Sequence, residues 1–185
     1  MITIDKLRDL SRSYGSKPHY NGIGMIRLRV GETQAYLFYS DRSEPFVNDI
    51  HNHRYSFSSF IVKGILRTDV YKFTKSDKYT DLNVVRRYWD NTKPEILAAN
   101  INLYKVYTFD AIEGDTYNID YRVFHHVTKQ TPKLITCMTT QPEPWPVKAN
   151  QFIESKSNPS EPIDAKTMPI GECWEAIEYT LNDND

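Results

Sequence analysis

In MIRLRV the apolar Ile26, Leu28 and Val30 alternate with Arg27 and Arg29, the period-two pattern of a strand with one buried face, and GET follows as a turn. The same texture recurs in QAYLFYS, YSFSSFIVKG, LRTDVYKF, NVVRRYW, INLYKVYTF, DTYNI and KLITCMTT, each bounded by turn residues. Short strands at this spacing predict a sandwich or barrel, and the lack of long helical crossovers predicts mostly antiparallel pairing. Only PEILAAN suggests a helical turn between strands.

The two ends differ from the middle. Ile4, Leu7 and Leu10 form a helical stripe over about residues 3–14, with Thr3 as N-cap and Gly15 as stop. From about residue 141 to 185 the chain carries six of the ten prolines and few apolar anchors besides Trp145 and Phe152, which predicts an extended or irregular tail on the body. A last short helix places Trp174, Ile177 and Leu181 on one face. The expectation is one domain over 1–185, an all-β core of about residues 20–142 with short N- and C-terminal helices.

Composition narrows the function classes. At 185 residues the chain is long enough for one sizeable core. Lys+Arg 23 against Asp+Glu 24 gives a net charge of -1, which argues against a bulk electrostatic role on nucleic acid or a membrane. The N-terminus lacks the apolar stretch of a signal peptide, and no apolar run approaches the roughly 20 residues of a membrane span. Two cysteines, Cys137 and Cys173, suggest reduced thiols rather than a disulfide framework, so a cytoplasmic protein is expected. The 13 tyrosines suit a β-rich fold.

Four of the five histidines fall in two clusters, DIHNHRY and RVFHHVTK. His51 and His53 are one residue apart, so on a strand their rings leave the same face and offer two nitrogen lone pairs. A divalent ion needs a third ligand, which a distant strand can bring across a barrel. Gly64 ends the apolar run after the first cluster. Gly114-Asp115 forms a turn ahead of a strand carrying Tyr117 and Ile119, and a second turn leads to His125.

HNHRYSFSSFIVKG followed by GDTYNIDYRVFHHV resembles the two motifs of the cupin superfamily, over roughly Ala35 to Pro142. The FHHV segment is similar to that of a group of small metal-binding cupins. The resemblance implies a double-stranded β-helix, or jelly roll, with a metal inside, held by His51, His53 and His125. His125 is preferred to His126 because its distance from Gly114 matches the family, and neighbouring strand residues point to opposite faces. The carboxylate that usually follows the first motif's second histidine is missing, its positions being Phe57 and Ser58. Asp120 and Arg122 replace the proline and glycine of the second motif's turn.

Three neutral imidazoles leave a bound ion at +2 with open coordination positions. Iron(II), the preferred ion, could there take a chelating substrate and dioxygen together; zinc, nickel or manganese also suit imidazole. The function expected is a non-haem iron(II) dioxygenase-type enzyme acting on a small polar molecule. The alternatives are a non-catalytic small-molecule-binding cupin, with or without metal, and a sugar isomerase or epimerase, which would need an acid/base pair. The resemblance also implies pairing of two copies through a barrel edge. Elsewhere, Cys137 reads as an inert small hydrophobe, Arg67 and Asp69 as surface partners, and Arg86-Arg87 beside Tyr88 and Trp89 as a charged exposed edge. Glu113 and Asp115 read as turn-makers.

Overall fold

A computed structural model describes residues 2–20, 24–39, 49–88, 93–141, 149–156 and 168–182. Its order is α1 (Ile4–Tyr14), β1 (His19–Tyr20), β2 (Met25–Arg29), β3 (Gln34–Tyr39), β4 (Phe57–Lys63), β5 (Leu66–Lys75) and β6 (Leu82–Tyr88). There follow β7 (Glu95–Ala99), β8 (Ile101–Ala111), β9 (Thr116–Ile119), β10 (Phe124–Lys129), β11 (Leu134–Thr140), β12 (Ala149–Ser155) and α2 (Ile170–Leu181). The Thr3 hydroxyl caps α1 by accepting from Lys6 N at 3.3 Å, and Gly15 closes it at φ 64°, as the sequence predicts.

One sheet runs β1-β2-β3-β11-β4-β9; a second contains β10-β5-β8, and a third β12-β6-β7. All pairings between these strands are antiparallel. The short segment at His51 bridges to His125 of β10 on one side and Phe152 of β12 on the other, so it fuses the second and third sheets into one surface. From β3 onward the chain passes to the His51 segment, back to β4, over to β5 and β8, back to β9, over to β10 and back to β11. Two facing sheets, β3-β11-β4-β9 and His51-β10-β5-β8, result, which is the strand order of a jelly roll.

Alternation along the strands divides the core. Leu37, Tyr39, Ile61, Leu66, Ala111 and Leu134 meet between the facing sheets. On the outer side of the first sheet, Ile26, Leu28, Phe38 and Ile135 are covered by Leu7 of α1 and Cys173 and Ile177 of α2. Val84 and Ile153 cover Ile101 and Phe124 on the far side of the second. The C-terminal helix is fastened by Lys63 Nζ, which donates to the carbonyl oxygens of Thr180, Leu181 and Asn182 at 3.1–3.3 Å.

The two motif glycines both lie at positive φ, 88° for Gly64 and 92° for Gly114. Their surroundings differ. A Cβ on Gly64 would stand 2.5 Å from the Lys133 carbonyl oxygen and 2.5 Å from Thr131 Oγ1, the group that accepts from Ile65 N; a Cβ on Gly114 would meet nothing within 4 Å. Gly64→Ala is therefore expected to cost roughly 2–4 kcal/mol and Gly114→Ala only about 1–2 kcal/mol. Urea unfolding of the two variants checks this, and equal losses would contradict it.

Three expectations are corrected. PEILAAN is strand β7, because Glu95–Ala99 is too short to sustain a helix and pairs with β6. The described part of the tail at 149–156 is not irregular: it is β12, paired along the whole of β6. Consequently Arg86 and Arg87 lie on a central strand rather than an edge. Arg86 pairs with Glu95 at 3.0 Å, and Arg87 grips the buried Glu154 in a bidentate bond. Trp89, Trp145 and the rest of the tail between 142 and 167 lie outside the described residues. No helix among the described residues is long and apolar enough to cross a membrane.

Candidate metal centre

Two short elements deliver the site. The His51 segment lies beside β10 with His51 and His125 in direct register, exchanging both backbone bonds: His51 N donates to His125 O at 3.0 Å and His125 N to His51 O at 2.8 Å. This cross-strand pair puts the two rings on one face, and the period of two adds His53 to it. Ring centroids lie 4.8 Å apart for His51 and His53, 4.8 Å for His51 and His125, and 5.1 Å for His53 and His125. One nitrogen from each ring lies within 4.8 Å of the others. All three residues expected to be ligands are thus brought together in space.

Hydrogen bonding fixes which nitrogens are free. His51 Nδ1 lies 2.7 Å from the Asp49 carbonyl oxygen and His125 Nδ1 3.2 Å from that of Val123. A carbonyl can only accept, so each Nδ1 carries the proton and donates it, which leaves the Nε2 lone pair for an ion. Burial favours the same state. Desolvation lowers the pKa of His51, and desolvation with the neighbouring rings holds His53 well below the ordinary histidine value. His125, 1% exposed, is lowered to about 3, mainly by burial and then by His51. Near neutral pH the three rings are uncharged donors. Three neutral imidazoles, two of them with Nδ1 already engaged, are the donor set of a divalent transition-metal site, and these residues fit one.

His126 leaves β10 on the other face, opposite Asp69 in the register, and takes no part in the cluster. At the place of the missing carboxylate, Phe57 is 6% exposed, with its ring edge-on to His53 at 5.0 Å and 6.2 Å from His125. Tyr55 stacks on His53 at 5.7 Å, and Phe152 on His51 at 5.8 Å. Deeper in, Tyr117 packs on Phe57 and bonds Ser59, with burial raising its phenol to about 12, so it stays protonated. The sequence marks Phe57 only as the position of the missing carboxylate and does not point to Tyr55 or Phe152 as site residues. The signal for Tyr55 and Phe57 was their period-two continuation from His53, whereas Phe152 carried none.

The remaining candidates fall outside the site. Arg67 is bidentate to Asp110 at 2.7 and 2.9 Å, while Asp69 accepts from Thr108 and Lys105, so these are surface partners but not of one another. Cys137 faces away from the barrel interior, half-buried, and accepts from Gln34 Nε2 at 3.3 Å; its burial raises the thiol pKa. Asp115 caps its own turn by accepting from Ile112 N at 2.9 Å.

A jelly roll whose HxH segment pairs with a later strand, so that three histidine rings share one face inside the roll, decides the fold. It is a cupin fold. No family model matches the chain, and no curated protein matches it. Among solved structures, the cupin fold of this chain is similar to the Drosophila melanogaster CENP-C cupin domain, with 9% identity over 64% of this chain and 66% of that one, TM-score 0.34. Hydroquinone 1,2-dioxygenase from Sphingomonas sp. TTNP3 with 4-hydroxybenzoate bound gives 8% identity over 60% of each chain, TM-score 0.35. An oxalate decarboxylase from Bacillus subtilis gives 9% identity over 71% of this chain and 29% of that one, TM-score 0.38. At these values the likenesses carry no argument about activity.

Proposed function

We propose that this cupin is a metal-dependent enzyme that holds one divalent ion, iron(II) by preference, at His51, His53 and His125 and uses it to oxidise a small polar molecule with dioxygen. The observation that supports this reading is the convergence of three neutral imidazoles, His125 buried and His51 and His53 half-buried, two with their Nδ1 protons tied to carbonyl oxygens. A divalent ion bound there supplies Lewis acidity, and iron(II) adds one-electron chemistry toward dioxygen. The protein's part is to orient and to dry. The Asp49 and Val123 carbonyls hold two rings in one tautomer, and Phe57, Tyr55 and Phe152 keep water from their flanks. With Phe57 in place of a carboxylate the three rings bring no negative charge, so a substrate carrying an anionic oxygen is favoured over a neutral one.

Protein loaded anaerobically with iron(II) and then given dioxygen with a panel of small hydroxy, amino and thiol carboxylic acids is expected to consume oxygen with at least one of them. The His51→Ala, His53→Ala double variant should not. Tight retention of a panel compound without oxygen uptake would replace the enzyme by a non-catalytic binding cupin.

A further inference from the structure

The ligand strand is an improbable strand. Of Ile50, His51 and Asn52 only Ile50 favours an extended chain, and His51 alone is bridged to its neighbours, outside any longer strand. One side of it is satisfied by His125. On the other side Ile50 O accepts from Ile153 N at 2.8 Å, and Asn52 N donates to Gln151 O at 2.9 Å. Where the backbone ladder would stop, the Asn52 side chain continues it: Oδ1 accepts from Gln151 N at 3.0 Å, and Nδ2 lies 3.4 Å from Gln151 Oε1.

Asn52 is 2% exposed, an unusual place for an amide unless its bonds are made. It stands between the two ligand histidines with its side chain committed to β12. That strand is itself immobilised. Glu154 is held by Arg87, Ser155 bonds Asp81, and Lys156 Nζ donates to the Thr80 carbonyl oxygen at 2.7 Å. Phe152, paired with His51 in the register, stacks its ring on that histidine at an interplanar angle of 27°.

We propose that Asn52 is a positioning residue of the metal centre, fastening the His51–His53 strand to β12 so that both rings face His125. The C-terminal segment is thereby a working part of the site rather than a decoration. The inference rests on the three-histidine reading, but its geometry exists without the ion. Loss of the amide leaves Gln151 N–H unpaired and frees the strand to tilt, with the rings misplaced relative to His125.

Two readouts separate positioning from simple support. Cobalt(II) titration, followed by its visible absorption, should show Asn52→Ala binding at least about tenfold more weakly than the parent. Ile177→Val, a core change on the buried face of α2, should lower stability without moving that affinity. In metal-free protein, ¹⁵N-histidine NMR should show His51 as the single Nδ1–H form in the parent and in Asn52→Asp, and as a mixture of tautomers in Asn52→Ala. If Asn52→Ala fails to fold, Asn52→Ser, too short to reach Gln151 N–H, gives the same readouts. Parent-like cobalt affinity and a single His51 tautomer in the alanine or serine variant would overturn the proposal. A parent that binds no cobalt(II) would overturn the metal reading instead, and the tautomer experiment would then decide the role of Asn52.

Discussion

His125→Ala abolishes stoichiometric binding of a divalent ion, while His126→Ala leaves it within about threefold of the parent. Losing an outer partner of a ligand costs roughly 10–100-fold in metal affinity, and removing a ligand outright costs more. With His125 gone, only the two rings of one short strand remain, and His126 cannot substitute because it leaves β10 toward Asp69. The His125→Ala loss should therefore exceed about 100-fold, read by cobalt(II) or zinc titration. Equal effects of the two variants would mean that the ion, if any, sits elsewhere.

Acid should act on the same cluster even without metal. The folded His125 has its pKa lowered to about 3, against about 6.5 for an unfolded histidine, and His51 and His53 are shifted in the same direction. Between those values the unfolded chain binds protons that the folded chain refuses, so stability rises with pH and is lost as pH falls from about 6.5 toward 3. Every tenfold difference in proton affinity between the two states corresponds to about 1.4 kcal/mol. Chemical unfolding of the metal-free protein over that window should show a steep loss, and His125→Ala a shallower one. Bound metal steepens the parent's dependence, since an ion competes with protons for the same nitrogens. A stability flat between pH 6.5 and 4 in the metal-free parent would contradict the burial of these rings.

What the sequence reveals of this site follows from local periodicity. One residue between His51 and His53 fixes their common face, and adjacency at 125 and 126 fixes opposite faces. The α1 cap and the alternation of β2 are equally local. β12 was hidden because proline-rich surroundings mask a strand whose pairing partner, β6, lies over sixty residues earlier. Once β12 is in place, β6 ceases to be an edge, and the reading of Arg86 and Arg87 changes with it. PEILAAN misleads for the same reason: its alanines favour a helix, but pairing with β6 overrides a preference spread over five residues. Phe57 shows the converse. Its departure from the family pattern is visible in the sequence, but its packing against His53 and His125 is not.

Anomalous diffraction at the metal edge, from crystals grown after anaerobic iron(II) or zinc loading, bears most directly on the metal centre. One peak per chain is expected, about 2.0–2.2 Å from a ring nitrogen of each of His51, His53 and His125. No peak within the roll, or one held by other side chains while these three rings keep their present spacing, would contradict it.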